Sequence, residues 1–317
     1  MLAEQPQATR VYKNHQIDST RWDGYSPRED DIIISTSIKS GTTWVQAIVR
    51  ELIVHGLGDH DAGNLEKIPL PDSGSSFWIE ATFSRELGTM HAHLEAQKHR
   101  RFIKSHVPLD GLPFYPQAKY LVIGRDARDV FMSLWNHYSD YADAFYKQLN
   151  EASELLGTRF PRCPEDVHDF WRIWINQGWF EWEQEGYPFW GNMHHAQTWW
   201  NYRHLDNIEF FHYADLLTDT ADEIQRMAKF LGIDVSDEAV SAIVKHTSLL
   251  AMRQRKQKVG GSHAFLKGGE NTFYNKGTNG RWRDVLSEAE LAMYEKTRSQ
   301  VLSVACGSWL EQGRVAL

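Results

Sequence analysis

Apolar residues along this chain fall in short β-branched runs, each followed by a stretch whose apolar positions recur at helical spacing. Residues 32–35 (I-I-I-S) follow the polar lead P-R-E-D-D at 27–31 and predict a buried strand. From 42 to 56, Trp44, Ile48, Leu52 and Ile53 share one helical face, and Gly56 closes the segment. Residues 101–104 (R-F-I-K) predict a second strand, stopped by the prolines of S-H-V-P-L-D-G-L-P. A third, 120–124 (Y-L-V-I-G), delivers the chain into R-D-A-R-D-V-F-M-S-L-W, where helical periodicity resumes. An apolar run at 208–213 precedes two amphipathic segments, at about 219–232 and 236–246. Strand followed by helix, repeated, predicts an α/β fold: a central parallel sheet flanked by helices, with binding groups at the carboxyl ends of its strands.

Between these elements lie less regular stretches. Residues 57–80 are rich in Gly, Asp, Pro and Ser and predict a long surface excursion of the kind that lines sites. Residues 267–282 (K-G-G-E-N-T-F-Y-N-K-G-T-N-G-R-W) predict a loop, either one that wraps an anion through backbone N–H groups or a plain surface loop. Residues 140–205 are aromatic, with Trp171, Trp174, Trp179, Phe180, Trp182, Trp190, Trp199 and Trp200. Trp199 and Trp200 read as core, whereas 178–190 is irregular enough to supply part of an apolar pocket.

Each predicted strand ends in useful chemistry. The first empties into T-S-I-K-S-G-T-T-W, a loop of small hydroxyl residues with Lys39 and Gly41, which suits a phosphate or sulfate at a helix N-terminus. It is not a Walker loop, because Lys39 precedes the glycine and no second lysine follows; the plainer alternative is an ordinary turn capped by Thr42 or Thr43. Lys104 and His106 follow the second strand, and Arg125 the third, with Ser133 two turns further on. If the three strands are parallel neighbours, Lys39, Lys104, His106 and Arg125 converge, so that cations hold a polyanion while an imidazole moves a proton. Arg128, between Asp126 and Asp129, reads as solvated surface.

The chain has 317 residues, 42% hydrophobic and 24% charged, which suits one large domain spanning 1–317. A net charge of -8 speaks against a general nucleic-acid or anionic-membrane surface, so any anion site must be a local cluster. Cys163 and Cys306 lie far apart without metal spacing, and His91, His93, His194 and His195 fit no metal pattern. The N-terminal M-L-A-E-Q-P-Q-A-T-R lacks a signal-peptide pattern and no run approaches a membrane span, so the expected location is cytoplasmic.

From about Pro27 to Trp282 the segments resemble, in order, the cytosolic sulfotransferase family, which transfers a sulfuryl group from 3′-phosphoadenosine 5′-phosphosulfate to a hydroxyl or amine. Lys39-Ser40-Gly41-Thr42-Thr43-Trp44 is similar to the family's 5′-phosphosulfate loop, with Ser37 and Ile38 where most members have Tyr-Pro. Lys104-Ser105-His106 with Pro108 resembles Lys-Thr-His-x-Pro, which implies His106 as catalytic base and Lys104, with Lys39, as stabilising cations. Arg125 and Ser133 match the 3′-phosphate motif. Tyr213, Trp44 and Thr247 imply adenine contacts, and Leu249 replaces the usual Phe. Asn275-Lys276-Gly277 stands where the family has Arg-Lys-Gly, losing a charge-assisted contact worth about 2 kcal/mol unless Arg281 or a basic residue of 253–256 compensates. Arg283, Ser287 and Ala292 occupy the dimer motif's Lys, Thr and Glu, so dimerisation by that route is not expected and the oligomeric state stays open. The resemblance implies direct in-line transfer without metal to a small hydroxyl acceptor, with the aromatic middle suggesting an apolar alcohol, phenol, steroid-like molecule or lipid. A P-loop-type phosphotransferase and a catalytically silent nucleotide-binding protein are the alternatives.

Overall fold

Four strands form one parallel sheet in the order β2-β1-β3-β4: β1 (Ile32–Thr36), β2 (Phe102–Ser105), β3 (Lys119–Gly124) and β4 (Ile208–His212). The computed structural model describes residues 5–56, 77–83, 87–152, 156–259 and 263–316, so most of the excursion expected at 57–80 lies outside the described residues. β1 is central, with Ser35 beside Ser105 of β2 and Val122 of β3. The chain leaves β1 towards β2 and then returns across it to β3, which makes the end of β1 a topological switch point.

Alternation along the strands divides the core into two layers. Ile32, Ile34, Leu121, Ile123 and Phe211 pack with Val45, Ile48, Val49 and Leu52 of the Thr42–Gly56 helix and with the Thr220–Leu231 and Asp237–His246 helices. Ile33, Tyr120, Val122, Ile208 and Phe210 face the other way. There they meet the Ala127–Tyr138, Val167–Asn176 and Asn192–Trp200 helices and the aromatic mass of Trp171, Trp174, Trp199, Trp200 and Trp309. The helices anticipated at 42–56, 219–232 and 236–246 are thus present, and Trp199 and Trp200 are core as expected.

Two readings of the sequence need correction. Residues 267–282 are not loop throughout, since Gly269–Phe273 is a short helix and Arg281–Asp284 a 3-10 turn. Tertiary bonds supply what local propensity lacks: Asp140 Oδ2 accepts from the Gly268 N–H at 2.8 Å, and Asn136 Nδ2 donates to the Thr272 carbonyl at 3.1 Å. Arg128 is not a solvated surface residue. Its guanidinium lies 4.1 Å from the Trp282 ring centroid and 4.5 Å from that of Tyr294, and it pairs with Asp126 at 2.6 Å.

At the opposite edge from the strand ends, a buried ion pair fixes where β1 and β2 begin. Arg101 and Asp31 directly precede the two strands, and their side chains are 0% and 2% exposed. Arg101 Nε donates to Asp31 Oδ1 at 2.8 Å, its terminal nitrogens reach Asp31 Oδ2, Glu95 and the Ser26 carbonyl, and the Arg28 N–H also donates to Asp31 at 2.7 Å. Removing one partner strands a buried charge, so Asp31→Ala is expected to lower unfolding free energy by about 3–5 kcal/mol, read from the urea midpoint at unchanged m-value.

Candidate active site

All four strands deliver the residues that follow them to one cavity of about 1070 Å³. Lys39 adopts φ 66° and Gly41 φ 101°, so the loop after β1 doubles back and starts the Thr42–Gly56 helix. The first amides of that helix have no intrahelical carbonyl to bond, which gives Thr42 and Thr43, both lining the cavity, an N–H face suited to an anion. Gly41 is required twice over. A side chain would have to adopt a left-handed backbone conformation, and its Cβ would lie 2.7 Å from the Tyr213 ring. The loop is pinned from beneath: Ser37 Oγ and Ser40 Oγ are 2.7 Å apart, and Asn192 Nδ2 donates to Ser37 Oγ.

His106 follows β2. Its Nδ1 lies 2.8 Å from the Thr36 carbonyl, which can only accept, so Nδ1 carries the proton and Nε2 the lone pair. Burial, then Lys104 and Lys39, push its pKa down to about 3, which keeps the ring neutral and able to take a proton. Its backbone N–H donates to Glu80 Oε1 at 2.7 Å, as does the Ser105 hydroxyl at 3.0 Å, and Trp22 Nε1 donates to Glu80 Oε2 at 2.9 Å. Trp78 meets the ring edge-on at 5.0 Å.

Cations complete the floor. Lys104 Nζ lies 4.9 Å from the Trp78 ring centroid, and Lys39 Nζ 5.0 Å from that of Phe273. Burial, then Arg125, lower the Lys39 pKa to about 7. Arg125 stacks on Tyr213 at 4.1 Å and donates to the Lys39 carbonyl at 3.0 Å, the Thr278 carbonyl at 3.2 Å and Asn279 Oδ1 at 3.0 Å. Tyr213 in turn donates to the Gly277 carbonyl at 3.1 Å, and Gly277 has φ 68°, packed against Leu249. Trp44, Ser133, Thr247, Leu249, Asn275, Lys276 and Gly277 all line the cavity, and Ser40 is buried behind it. Of the residues able to stand in for an arginine at Asn275, Arg281 lines the cavity near Arg125, whereas Arg253 is occupied by the Tyr274 and Asn275 carbonyls.

The apolar end of the cavity is not where the sequence suggested. Residues 178–190 do not line it: Phe180 and Trp182 pack on Tyr12, Trp179 on His15, and Trp190 lies behind His106 at 5.9 Å. The walls are Trp78, Phe83, Met90, Phe145, Phe265 and Phe273, from segments remote in sequence. Also missed were His137, whose only signal was its place one turn beyond Ser133, and Glu80, Asn192 and Thr36, which hold others in place. Among the described residues, no group of three or more His, Cys, Asp or Glu has the arrangement of a metal site. No described helix is long and apolar enough to cross a membrane.

A parallel sheet with an anion loop at its switch point and a buried neutral histidine beside three cations defines an α/β group-transfer enzyme. The chain belongs to the sulfotransferase family, whose domain matches residues 29–303. It is 32% identical to a glycolipid sulfotransferase of Mycobacterium tuberculosis over 99% of this chain and 98% of that one. A 3-alpha-hydroxysteroid sulfotransferase of Cavia porcellus is 26% identical over 86% and 84%. In fold it is similar to a mouse sulfotransferase solved with PAP (TM-score 0.67, 20% identity, covering 92% of each chain). It is also similar to retinol dehydratase solved with androsterone and PAP (TM-score 0.62, 20% identity, covering 91% of this chain and 87% of that one).

Gly41→Ala is expected to cost about 1–3 kcal/mol of stability from backbone strain and the Tyr213 clash, measured as a lowered denaturation midpoint; an unchanged midpoint would show that the loop relaxes freely.

Proposed function

We propose that this enzyme transfers the sulfuryl group of 3′-phosphoadenosine 5′-phosphosulfate directly to a hydroxyl of an acceptor with a large apolar body, such as an alcohol, phenol, steroid-like molecule or lipid. The observation that carries this is His106: neutral, with its proton committed to Thr36 and its Nε2 lone pair available, between Lys104 and Lys39. The acceptor hydroxyl gives its proton to Nε2 as its oxygen bonds to sulfur. The bond from sulfur to the bridging oxygen breaks, and that electron pair leaves on the 5′-phosphate. Lys39, Lys104 and the N–H groups of residues 40–43 stabilise the charge as it moves. Arg125, Ser133 and Lys276, with Arg281 replacing the arginine absent at Asn275, hold the 3′-phosphate. Trp44, Tyr213, Thr247 and Leu249 flank adenine, and Gly277 lets the loop approach. The phenylalanine-rich walls and the glycolipid and steroid activities named for its relatives support an apolar acceptor. We read the whole chain as one such domain working in the cytoplasm without a metal, and leave its oligomeric state open.

Titration with 3′-phosphoadenosine 5′-phosphate (PAP) tests the donor site. Wild type is expected to bind it with micromolar affinity, about -8 kcal/mol, far more tightly than adenosine 5′-phosphate. Lys39→Ala is expected to lose at least tenfold, and tighter binding of ATP with magnesium would sink the reading in favour of a phosphotransferase. The pH dependence has a definite sign. An anion favours the Lys39 ammonium, and the pKa of Lys39 without it is lowered to about 7, so PAP affinity is full below that pH and weakens as pH rises through it. Lys39→Ala should flatten that limb. His106→Ala is expected to lower kcat by about 10²–10⁴-fold in a sulfate-transfer assay, while still binding PAP.

A further inference from the structure

The cavity holds a second imidazole that the transfer step does not use. His137, on the Ala127–Tyr138 helix, is 7% exposed, and its Nδ1 lies 3.4 Å from Lys39 Nζ. With an anion bound Lys39 is an ammonium, which has hydrogens only to give, so Nδ1 is the acceptor and the proton of the neutral ring sits on Nε2. Burial, then Lys39 and His263, hold this ring well below the ordinary histidine pKa, so it stays neutral. Nε2 has no hydrogen-bond partner among the described residues, and the ring lines the same cavity as His106. The two histidines therefore present opposite faces of one chemistry: His106 offers a lone pair and His137 an N–H.

Beyond Lys39, the rings packed on His137 are aromatic. Tyr141 lies 5.3 Å and Phe265 5.6 Å from its ring centroid. His263, stacked on Phe273 at 3.7 Å and 2.6 Å from Glu270 Oε2, extends this polar end. An acceptor with a single hydroxyl would satisfy His106 and leave the N–H of His137 against hydrocarbon, which forfeits a hydrogen bond that water would have made. Both histidines line one cavity beside Lys39, so an acceptor with a second oxygen that reaches His137 would satisfy both, while Phe83 and Phe145 cover its apolar tail.

We propose that His137 determines acceptor specificity: its Nε2–H binds a second oxygen of a polyhydroxylated head group, such as the sugar ring of a lipid glycoside, whose neighbouring hydroxyl is the one sulfated at His106. This rests on the transferase reading above and narrows its acceptor class. The probes are octyl β-glucoside and 1-octanol, which share a tail and differ in the head. Each is titrated in the presence of PAP into wild type, His137→Phe and His137→Asn, with the fold of each variant checked by its melting temperature.

Wild type is expected to favour the glucoside at least tenfold, equal to about 1.4 kcal/mol. His137→Phe, which keeps the volume and loses the donor, should bring the ratio near one, and His137→Asn, which keeps an N–H, should restore part of it. A ratio near one in wild type, or one that survives His137→Phe, overturns the proposal. These are binding measurements and stand whether or not sulfate moves. Failure of the transferase reading would appear instead as no PAP binding, or as no turnover with any alcohol.

Discussion

The hydrogen bond from His106 Nδ1 to the Thr36 carbonyl joins the last residue of β1 to the first residue after β2, and the chemistry proposed for the site depends on it. By itself such a bond contributes about 1 kcal/mol. Its weight lies in what it decides: which nitrogen keeps the proton and which faces the cavity. It exists because the strands are parallel and Ser35 registers with Ser105, so both chains leave the sheet at the same edge. Glu80 holds the same turn from the other side, through the His106 N–H and the Ser105 hydroxyl. The imidazole is thus aimed chiefly by backbone geometry, with the Thr36 hydroxyl, 3.1 Å from the same nitrogen, as a second contact.

Around that bond the chain concentrates positive charge that its overall -8 would not suggest. Lys39, Lys104, Arg125 and Arg281 share one cavity, and like charges in a desolvated space destabilise one another. The two residue types respond differently. Lys39 yields, its pKa falling to about 7, while the Arg125 guanidinium stays charged and is stabilised by the Tyr213 face and three oxygen acceptors. A polyanionic donor such as the one proposed above would offset the repulsion.

Local features of this design were legible in the sequence, and those made by distant contacts were not. Residues 32–56 announce strand, loop and helix because an apolar β-branched run and a helical face sit on either side of Lys39, and the structure reproduces both. Lys104, His106 and Arg125 were found by the same logic at the ends of the next strands. The apolar wall escaped it, because Phe83, Phe145 and the pair Phe265 and Phe273 come from three separate stretches with no shared period. The tryptophan-rich middle misled for the opposite reason. Aromatic density there serves the core and the anchoring of the N-terminal segment around Tyr12 and His15. Arg128 looked solvated because Trp282 and Tyr294, which enclose it, lie more than a hundred residues away in the chain.

The departures from the family pattern are where sequence and space have to be read together. Ser37 replaces a bulky tyrosine in the anion loop, and by itself it would leave the loop less constrained. In the structure it is bonded to Asn192 and paired with Ser40, so the loop is held by the N-terminus of the Asn192–Trp200 helix. That terminus is itself fixed by Glu185, which accepts from the Asn192 and Met193 N–H groups at 3.1 and 3.0 Å, a buried carboxylate whose pKa burial raises to about 7. The support therefore runs from the buried Glu185 carboxylate through the helix end at Asn192 and its side-chain amide to Ser37, more than 150 residues away in the chain. Arg281, six residues after Asn275, lines the same cavity with its side chain anchored to the Met132 carbonyl at 2.9 Å, which is why it is proposed above to supply the charge absent at Asn275. Where the motif letters change, the replacement contacts come from residues that are near in space and distant in sequence, so a departure from the family's spelling has to be judged on the folded chain.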